Sequence, residues 1–166
     1  MGYYIIIRGP LGCGKTTTAK ALAARLSAEY LSVDEIIDEH KLDSDKEDGF
    51  ISQASFEKAD DYLAEKAKEF LDKKIPVIID GNFYWKSQIE DLSSKLIYPY
   101  AIFTLDAPLE VCLERDSKRE NPLGADAVKV VYDKTASVEA GKKIDVTRET
   151  EEVITEIIDV LIMKNQ

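Results

Sequence analysis

Residues Gly9-Pro10-Leu11-Gly12-Cys13-Gly14-Lys15-Thr16 match the pattern G-x-x-x-x-G-K-[ST] in full. In such a loop, main-chain N–H groups from Leu11 to Thr17 wrap a triphosphate, Lys15 reaches its outer phosphates, and the Thr16 hydroxyl ligates Mg²⁺. The loop has the flanks it needs. The apolar run Tyr3-Tyr4-Ile5-Ile6-Ile7 before it reads as a buried parallel strand. After it, Ala19, Leu22, Ala23 and Leu26 recur at helical spacing. A strand, a glycine-rich loop and a helix in this order bind a nucleoside triphosphate, with Gly9, Gly12 and Gly14 allowing the close approach.

Two carboxylates complete the chemistry. Asp80 closes the apolar run Pro76-Val77-Ile78-Ile79 and suits a metal-holding role at the mouth of the loop, with Thr16 as the other ligand. Asp34 follows a second strand, Tyr30 to Val33, and is the candidate general base that takes a proton from an acceptor hydroxyl. Its plainer role is an N-cap for a helix starting at Glu35, and the two are compatible. Arg115 and Arg119 share one helix face. They could stabilise charge on a transferring phosphoryl group, or simply pair with Glu114, Asp116 and Glu120 on a solvated surface.

The elements that position these groups alternate. Strands at Pro76–Asp80 and Tyr100–Asp106 join the first two. A helical stripe runs from Ser55 to Lys73 through Phe56, Ala59, Leu63, Ala67 and Phe70. Pro108 opens a further helix, Val128, Val131 and Tyr132 mark another that finishes around Gly141, and a last one covers about Glu149 to Met163. The acidic stretch Asp43–Gly49 reads as a solvated loop. Strands alternating with helices predict an α/β fold whose parallel sheet is covered on both sides, with ligands at the carboxyl ends of the strands. Gly9, Asp34 and Asp80 fall at such ends.

Gly9–Thr16, Val33-Asp34, Ile79-Asp80-Gly81-Asn82 and Arg115-Asp116-Ser117-Lys118-Arg119 occur in the order seen in small P-loop kinases. The chain resembles in particular the group holding the kinase domain of polynucleotide kinases, zeta-toxin-like kinases and adenylylsulfate- or gluconate-type kinases. The resemblance implies a three-layer sandwich around a five-stranded parallel sheet, with a short helical lid over about residues 115–127. It implies that ATP is co-substrate with Mg²⁺, that Asp34 activates the acceptor, that Asp80 serves the metal, and that Arg115 and Arg119 ride on the lid. It further implies that the loop Ile144-Asp145-Val146-Thr147, with Asp145 and Val146, lies against adenine while Arg115 stacks on the opposite face.

Composition sets limits. The 166 residues predict one domain, and the net charge of −10 with a pI near 4.7 disfavours nucleic acid and anionic membranes as partners. No membrane-length apolar run occurs, and Cys13 and Cys112 form no metal pattern; a cytoplasmic setting is expected. The five arginines leave the interval from Arg25 to Arg115 empty. Anionic acceptors call for arginine's planar fork, and Ile37 lies where polynucleotide kinases carry one. Lys41, Lys58 and Lys86 are poor substitutes. The expected reaction is therefore transfer of the γ-phosphate of Mg-ATP to a hydroxyl of a small, weakly charged molecule. Tyr84 and Trp85 either wall that acceptor or pack a helix start. A nucleoside monophosphate kinase or polynucleotide 5′-hydroxyl kinase is the alternative within the class. Outside it stands an ATPase switch acting with a protein partner. No Asn-Lys-x-Asp guanine motif and no Leu-Ser-Gly-Gly-Gln-like signature occurs.

Overall fold

The computed structural model describes residues 1–166. A central parallel sheet is ordered β2-β5-β1-β6-β7. Its strands are β1 (Tyr4–Arg8), β2 (Glu29–Ser32), β5 (Val77–Asp80), β6 (Tyr100–Asp106) and β7 (Lys142–Asp145). A two-stranded antiparallel hairpin, β3 (Lys46–Glu47) and β4 (Phe50–Ile51), stands apart from it. The helices are α1 (Lys15–Leu26), α2 (Val33–Glu39), α3 (Gln53–Leu71), α4 (Lys86–Lys95), α5 (Leu109–Ser117), α6 (Ala125–Ala136) and α7 (Thr150–Lys164).

Side chains of β1 alternate between two cores, as the pleat requires. Tyr4 and Ile6 join Val77, Ile79, Leu63 and Leu92 under α3 and α4. Ile5 and Ile7 join Ile78, Phe103, Leu22 and Ile157 under α1 and α7. Both neighbours of β1 are parallel to it, Ile7 facing Asp80 and Phe103. Burial on both faces explains why β1 and β5 read as unbroken apolar runs.

Several expectations are adjusted. The second strand ends at Ser32, and Ser32 rather than Asp34 caps α2, its Oγ accepting from the Glu35 N–H at 3.2 Å. Asp34 instead occupies the first helical turn. Helix α6 stops at Ala136, five residues short of Gly141. Part of the expected adenine loop is strand: Lys142–Asp145 forms the edge strand β7, and Ile144 is buried in the core. The acidic stretch is not a plain loop either. It folds into the β3–β4 hairpin around Asp48 and Gly49, both at positive φ. Asp45 accepts from the Ser52 hydroxyl at 2.6 Å, and Glu47 accepts from the Gln53 side chain at 2.8 Å, which fastens the hairpin to the start of α3.

Tyr84 and Trp85 pack. Both are buried in the core under α3 and α4, Trp85 Nε1 donates to Ile51 O at 2.8 Å, and Lys134 of α6 sits 3.6 Å over the indole ring. The lone histidine, His40, stacks on Tyr62 at the surface.

One polar group in this layer is out of place. Asp60 of α3 is fully buried, receives a single hydrogen bond from Gln88 Nε2 at 3.3 Å, and leaves Oδ2 without a partner. Burial, reinforced by Asp91, pushes its carboxyl up to about 9. The folded protein therefore holds a proton that the unfolded chain releases near pH 4, so this group's stabilisation is present at low pH and declines as pH rises towards 9. The slope is at most about 1.4 kcal/mol per pH unit. Asp60→Asn should raise the melting temperature at pH 8 and flatten its fall between pH 5 and pH 8, as thermal denaturation across that range will show.

Candidate active site

The phosphate loop is the connection from β1 to α1. Gly12 has φ +78°, and a Cβ there would lie 2.4 Å from Cys112 O of α5, so the loop rests directly on that helix's main chain. Gly14, at φ +89°, caps α1 with no side chain. No acidic residue stands in the first turn. The first N–H groups of α1 therefore face the cleft with the positive end of the helix dipole behind them, which makes an anion site. Lys15 Nζ donates to Pro10 O at 3.1 Å, holding the ammonium over the loop.

Asp80 is the junction of three elements. At the carboxyl end of β5 it is buried, and its Oδ2 accepts from Thr16 Oγ1 at 2.9 Å and from Tyr30 OH at 2.7 Å. Sheet order makes this contact: β5 lies between β2, which carries Tyr30, and β1, which leads to Thr16. Hydrogen bonding to Asp80 and burial push the Tyr30 phenol well up, burial being the larger effect, so it stays a donor. The Thr16 hydroxyl and Asp80 carboxylate offer only oxygen, and no group of three or more His, Cys, Asp or Glu side chains forms a cage. That donor set fits a Mg²⁺ ion that takes its remaining ligands from phosphate and water.

Asp34 opens onto the same cleft from α2. The surrounding walls push its carboxyl up chiefly by desolvation; Lys15 and Arg119 oppose this, while Asp80 and Asp38 add to it. Asp34 thus shares one electrostatic neighbourhood with Lys15, the Asp80 junction and Arg119.

Arg115 is held at the cleft by a route the sequence did not suggest. Its Nη1 donates to Cys13 O at 2.9 Å and its Nη2 to Val146 O at 2.8 Å, so both guanidinium arms bridge the phosphate loop to the segment after β7. Arg119 is half-exposed on the connection from α5 to α6 and approaches Asp116 Oδ1 at 3.7 Å. Buried Asp116 shapes this connection by accepting from the N–H groups of Leu123 and Gly124 at 3.1 and 3.0 Å. Of the expected pairings of the two arginines with Glu114, Asp116 and Glu120, only that of Arg119 with Asp116 forms; Glu114 pairs instead with Lys118 at 2.9 Å.

These groups surround one cleft of about 810 Å³. Leu11, Gly12, Cys13, Gly14, Lys15, Thr16, Thr17, Asp34, Asp80, Arg115, Arg119 and Val146 line it. Gly9 lies beneath the loop, against Cys13 Sγ and Leu105 O. Asp145 is also off the cleft wall, its Oδ1 accepting from Thr147 N at 2.9 Å and Thr147 Oγ1 at 2.7 Å. Lys41, Lys58 and Lys86 do not reach the cleft, whereas Lys46 does. Sequence reasoning missed Tyr30, Arg148 and Asp38. Only Asp38 carried a signal, standing four residues after Asp34 on one helix face.

A family profile described as AAA domain matches residues 5–140. A Methanocaldococcus jannaschii protein, named as a candidate adenylate kinase, is 29% identical over an alignment of 173 positions. That alignment covers 98% of this chain and 88% of the archaeal protein. Among solved structures, a sugar kinase from a Janibacter species superposes with a TM-score of 0.78 at 20% identity, covering 97% of this chain and 95% of that one. The tunicamycin resistance protein of Deinococcus radiodurans gives a TM-score of 0.71 at 25% identity, covering 97% and 96%.

Tyr30→Phe removes the hydroxyl that orients Asp80 and leaves the phosphate loop intact. Calorimetry of triphosphate binding should show the gain in affinity from Mg²⁺ cut by about 10-fold, with metal-free binding close to that of the parent.

Proposed function

The chain belongs to the AAA domain family, and from that premise we propose that it transfers the γ-phosphoryl group of ATP to a hydroxyl of a small, weakly charged acceptor. The observation that supports this reading is the placement of Asp34. Its carboxylate stands in the same cleft as Lys15 and the Thr16–Asp80 pair but on a separate element, α2, leaving room beyond the phosphates for a second substrate. An enzyme that only hydrolysed ATP would not need that second half of the cleft.

In this reading the α1 amides and Lys15 hold the β- and γ-phosphates. Val146 and the Arg115 bridge shape the nucleotide side. Mg²⁺ between Thr16 and Asp80 would neutralise charge on the phosphate oxygens. Asp34 accepts the proton of the acceptor hydroxyl as its oxygen bonds to the γ-phosphorus. The bond from that phosphorus to the β–γ bridging oxygen breaks, and ADP leaves with the electron pair. Arg119, on the lid formed by the α5–α6 connection, stabilises charge on the group in flight.

The archaeal relative's name raises a nucleoside monophosphate as acceptor. The cleft argues otherwise: between Asp34 and Ile51 its wall carries Lys46 as the sole cation and no arginine, and Ile37 stands where an arginine fork would be needed. No helix is long and apolar enough to cross a membrane. Use of ATP, together with two free buried cysteines, suits a cytoplasmic enzyme.

The test is transfer of label from γ-labelled Mg-ATP to a panel of nucleosides, nucleoside monophosphates, sugars, polyols, hydroxy acids and 5′-hydroxyl oligonucleotides. Label in an uncharged class supports the reading. Label in monophosphates transfers the function to the alternative, and label only in inorganic phosphate points to an ATPase switch. Lys15→Ala should abolish turnover, and Asp34→Asn should lower it by about 100-fold or more while ATP still binds. Because Asp34 must be ionised to accept a proton, its raised value predicts that kcat falls on the acid side at a pH above the ordinary carboxylate range. A pH–rate profile that stays flat to pH 4 would remove Asp34 from that role.

A further inference from the structure

The far half of the cleft carries an imbalance of charge. Its wall between α2 and the β3–β4 hairpin presents Asp34, Asp38 and Asp43 against the single ammonium of Lys46, with Ile37 and Ile51 supplying apolar surface between them. None of these four charged side chains makes an ion pair or a side-chain hydrogen bond within the protein. Of the neighbouring acidic residues, Asp45 and Glu47 tie the hairpin to α3 and Glu39 meets Lys66, while Glu35 and Asp48 lie off the cleft wall. Asp34, Asp38 and Asp43 are thus the carboxylates of this segment that line the cleft, in the half where the acceptor lies in this reading. Their spacing does not suit a metal, since no three acidic side chains are near enough to hold one. A larger ligand with its positive charge set apart from its reacting atom does suit it.

We propose, resting on the phosphotransfer reading above, that the acceptor is an amine-bearing alcohol, such as an amino sugar or amino polyol, whose ammonium is held by Asp38 and Asp43 while its hydroxyl meets Asp34. Asp34 and Asp38 lie one turn apart on α2, so a hydroxyl at one and an ammonium at the other are matched by a skeleton of a few carbons. The C–H faces of that skeleton rest on Ile37 and Ile51. At neutral pH the amine is protonated, has no lone pair to offer phosphorus, and serves only as an anchor; the oxygen is the nucleophile. A phosphate- or carboxylate-bearing acceptor would meet the same three carboxylates unfavourably, which is discrimination by repulsion.

The test compares acceptors matched in skeleton and differing in charge: glucosamine, glucose and gluconate in one series, and serinol, glycerol and glycerate in another. Each is assayed with Mg²⁺ and γ-labelled ATP, and affinity for a non-hydrolysable ATP analogue is measured alongside for every variant as the check on folding. In the series that is accepted, the amine should exceed the neutral parent in kcat/KM by on the order of tenfold, and the acid should be poorest. Asp38→Asn with Asp43→Asn should bring the amine-to-neutral ratio close to one, and Lys46→Gln should increase it. Equal or better transfer to the neutral or acidic member overturns the amine assignment while leaving phosphotransfer standing. So does a ratio that all three substitutions leave unmoved. Label released only as inorganic phosphate with every acceptor overturns both readings together.

Discussion

The structure turns on a buried cation with no anion beside it. Arg8, the last residue of β1, is fully buried, and its guanidinium meets no carboxylate. Nη1 donates to Thr104 Oγ1 and to Val138 O, both at 2.9 Å, and Nη2 donates to Phe83 O at 3.2 Å and Thr135 O at 3.0 Å. Burial alone draws its value down to about 10, so it remains charged at neutral pH. An isolated buried charge is costly. Here the Thr135 carbonyl in the last turn of α6, with that of Val138 just beyond the helix, offsets that cost, because the negative end of a helix dipole stands in for the missing carboxylate. The consequence reaches the site at once: Arg8 immediately precedes Gly9, Phe83 follows Asp80 by three residues, and α6 follows the connection that carries Arg119. One side chain fixes the root of the phosphate loop, the segment beyond the Asp80 junction and the end of α6 relative to one another.

Against that frame the cleft is divided by sign. The chain as a whole carries a net charge of −10, yet four of the five cations that line the cleft, Lys15, Arg115, Arg119 and Arg148, come from elements other than the acidic wall of α2 and the hairpin. A local concentration of cations overrides the global balance within roughly one Debye length, about 8 Å at physiological salt. Asp34 lies at the border of the two halves, which is why opposing influences act on its carboxyl and why its surroundings, rather than its residue type, decide how readily it takes a proton.

What the sequence disclosed, and what it withheld, follows from how far apart in the chain the determinants lie. The phosphate loop was legible because its residues are consecutive, and Asp80 because an apolar run ending in a carboxylate marks a strand end; Asp34 was found by the same sign but stands two residues past its strand, in the first turn of α2. The strand Lys142–Asp145 was not: it is an edge strand with a single buried side chain, Ile144, between exposed lysines and Asp145, so it lacks the continuous apolar run that identifies β1. The hairpin Lys46–Ile51 escaped because two-residue strands have no period to detect. Tyr30 was invisible as a site residue because its partner, Asp80, is brought beside it only by the order of strands in the sheet. Arg115 was placed at the site by resemblance, but its bridge to Cys13 O and Val146 O is a matter of three-dimensional arrangement that spacing does not encode.

The contact between Gly12 and the main chain of α5 at Cys112 bears on the thermodynamics of occupancy. A glycine-rich loop left to itself samples many shapes, and a ligand that needs one of them must meet the entropy of selecting it. Pressed against a helix main chain at one end and continuous with β1 at the other, this loop has had that entropy removed during folding. Incoming phosphate therefore encounters amides already aligned, and the residual ordering on binding falls to the phosphate chain and the surrounding water rather than to the protein.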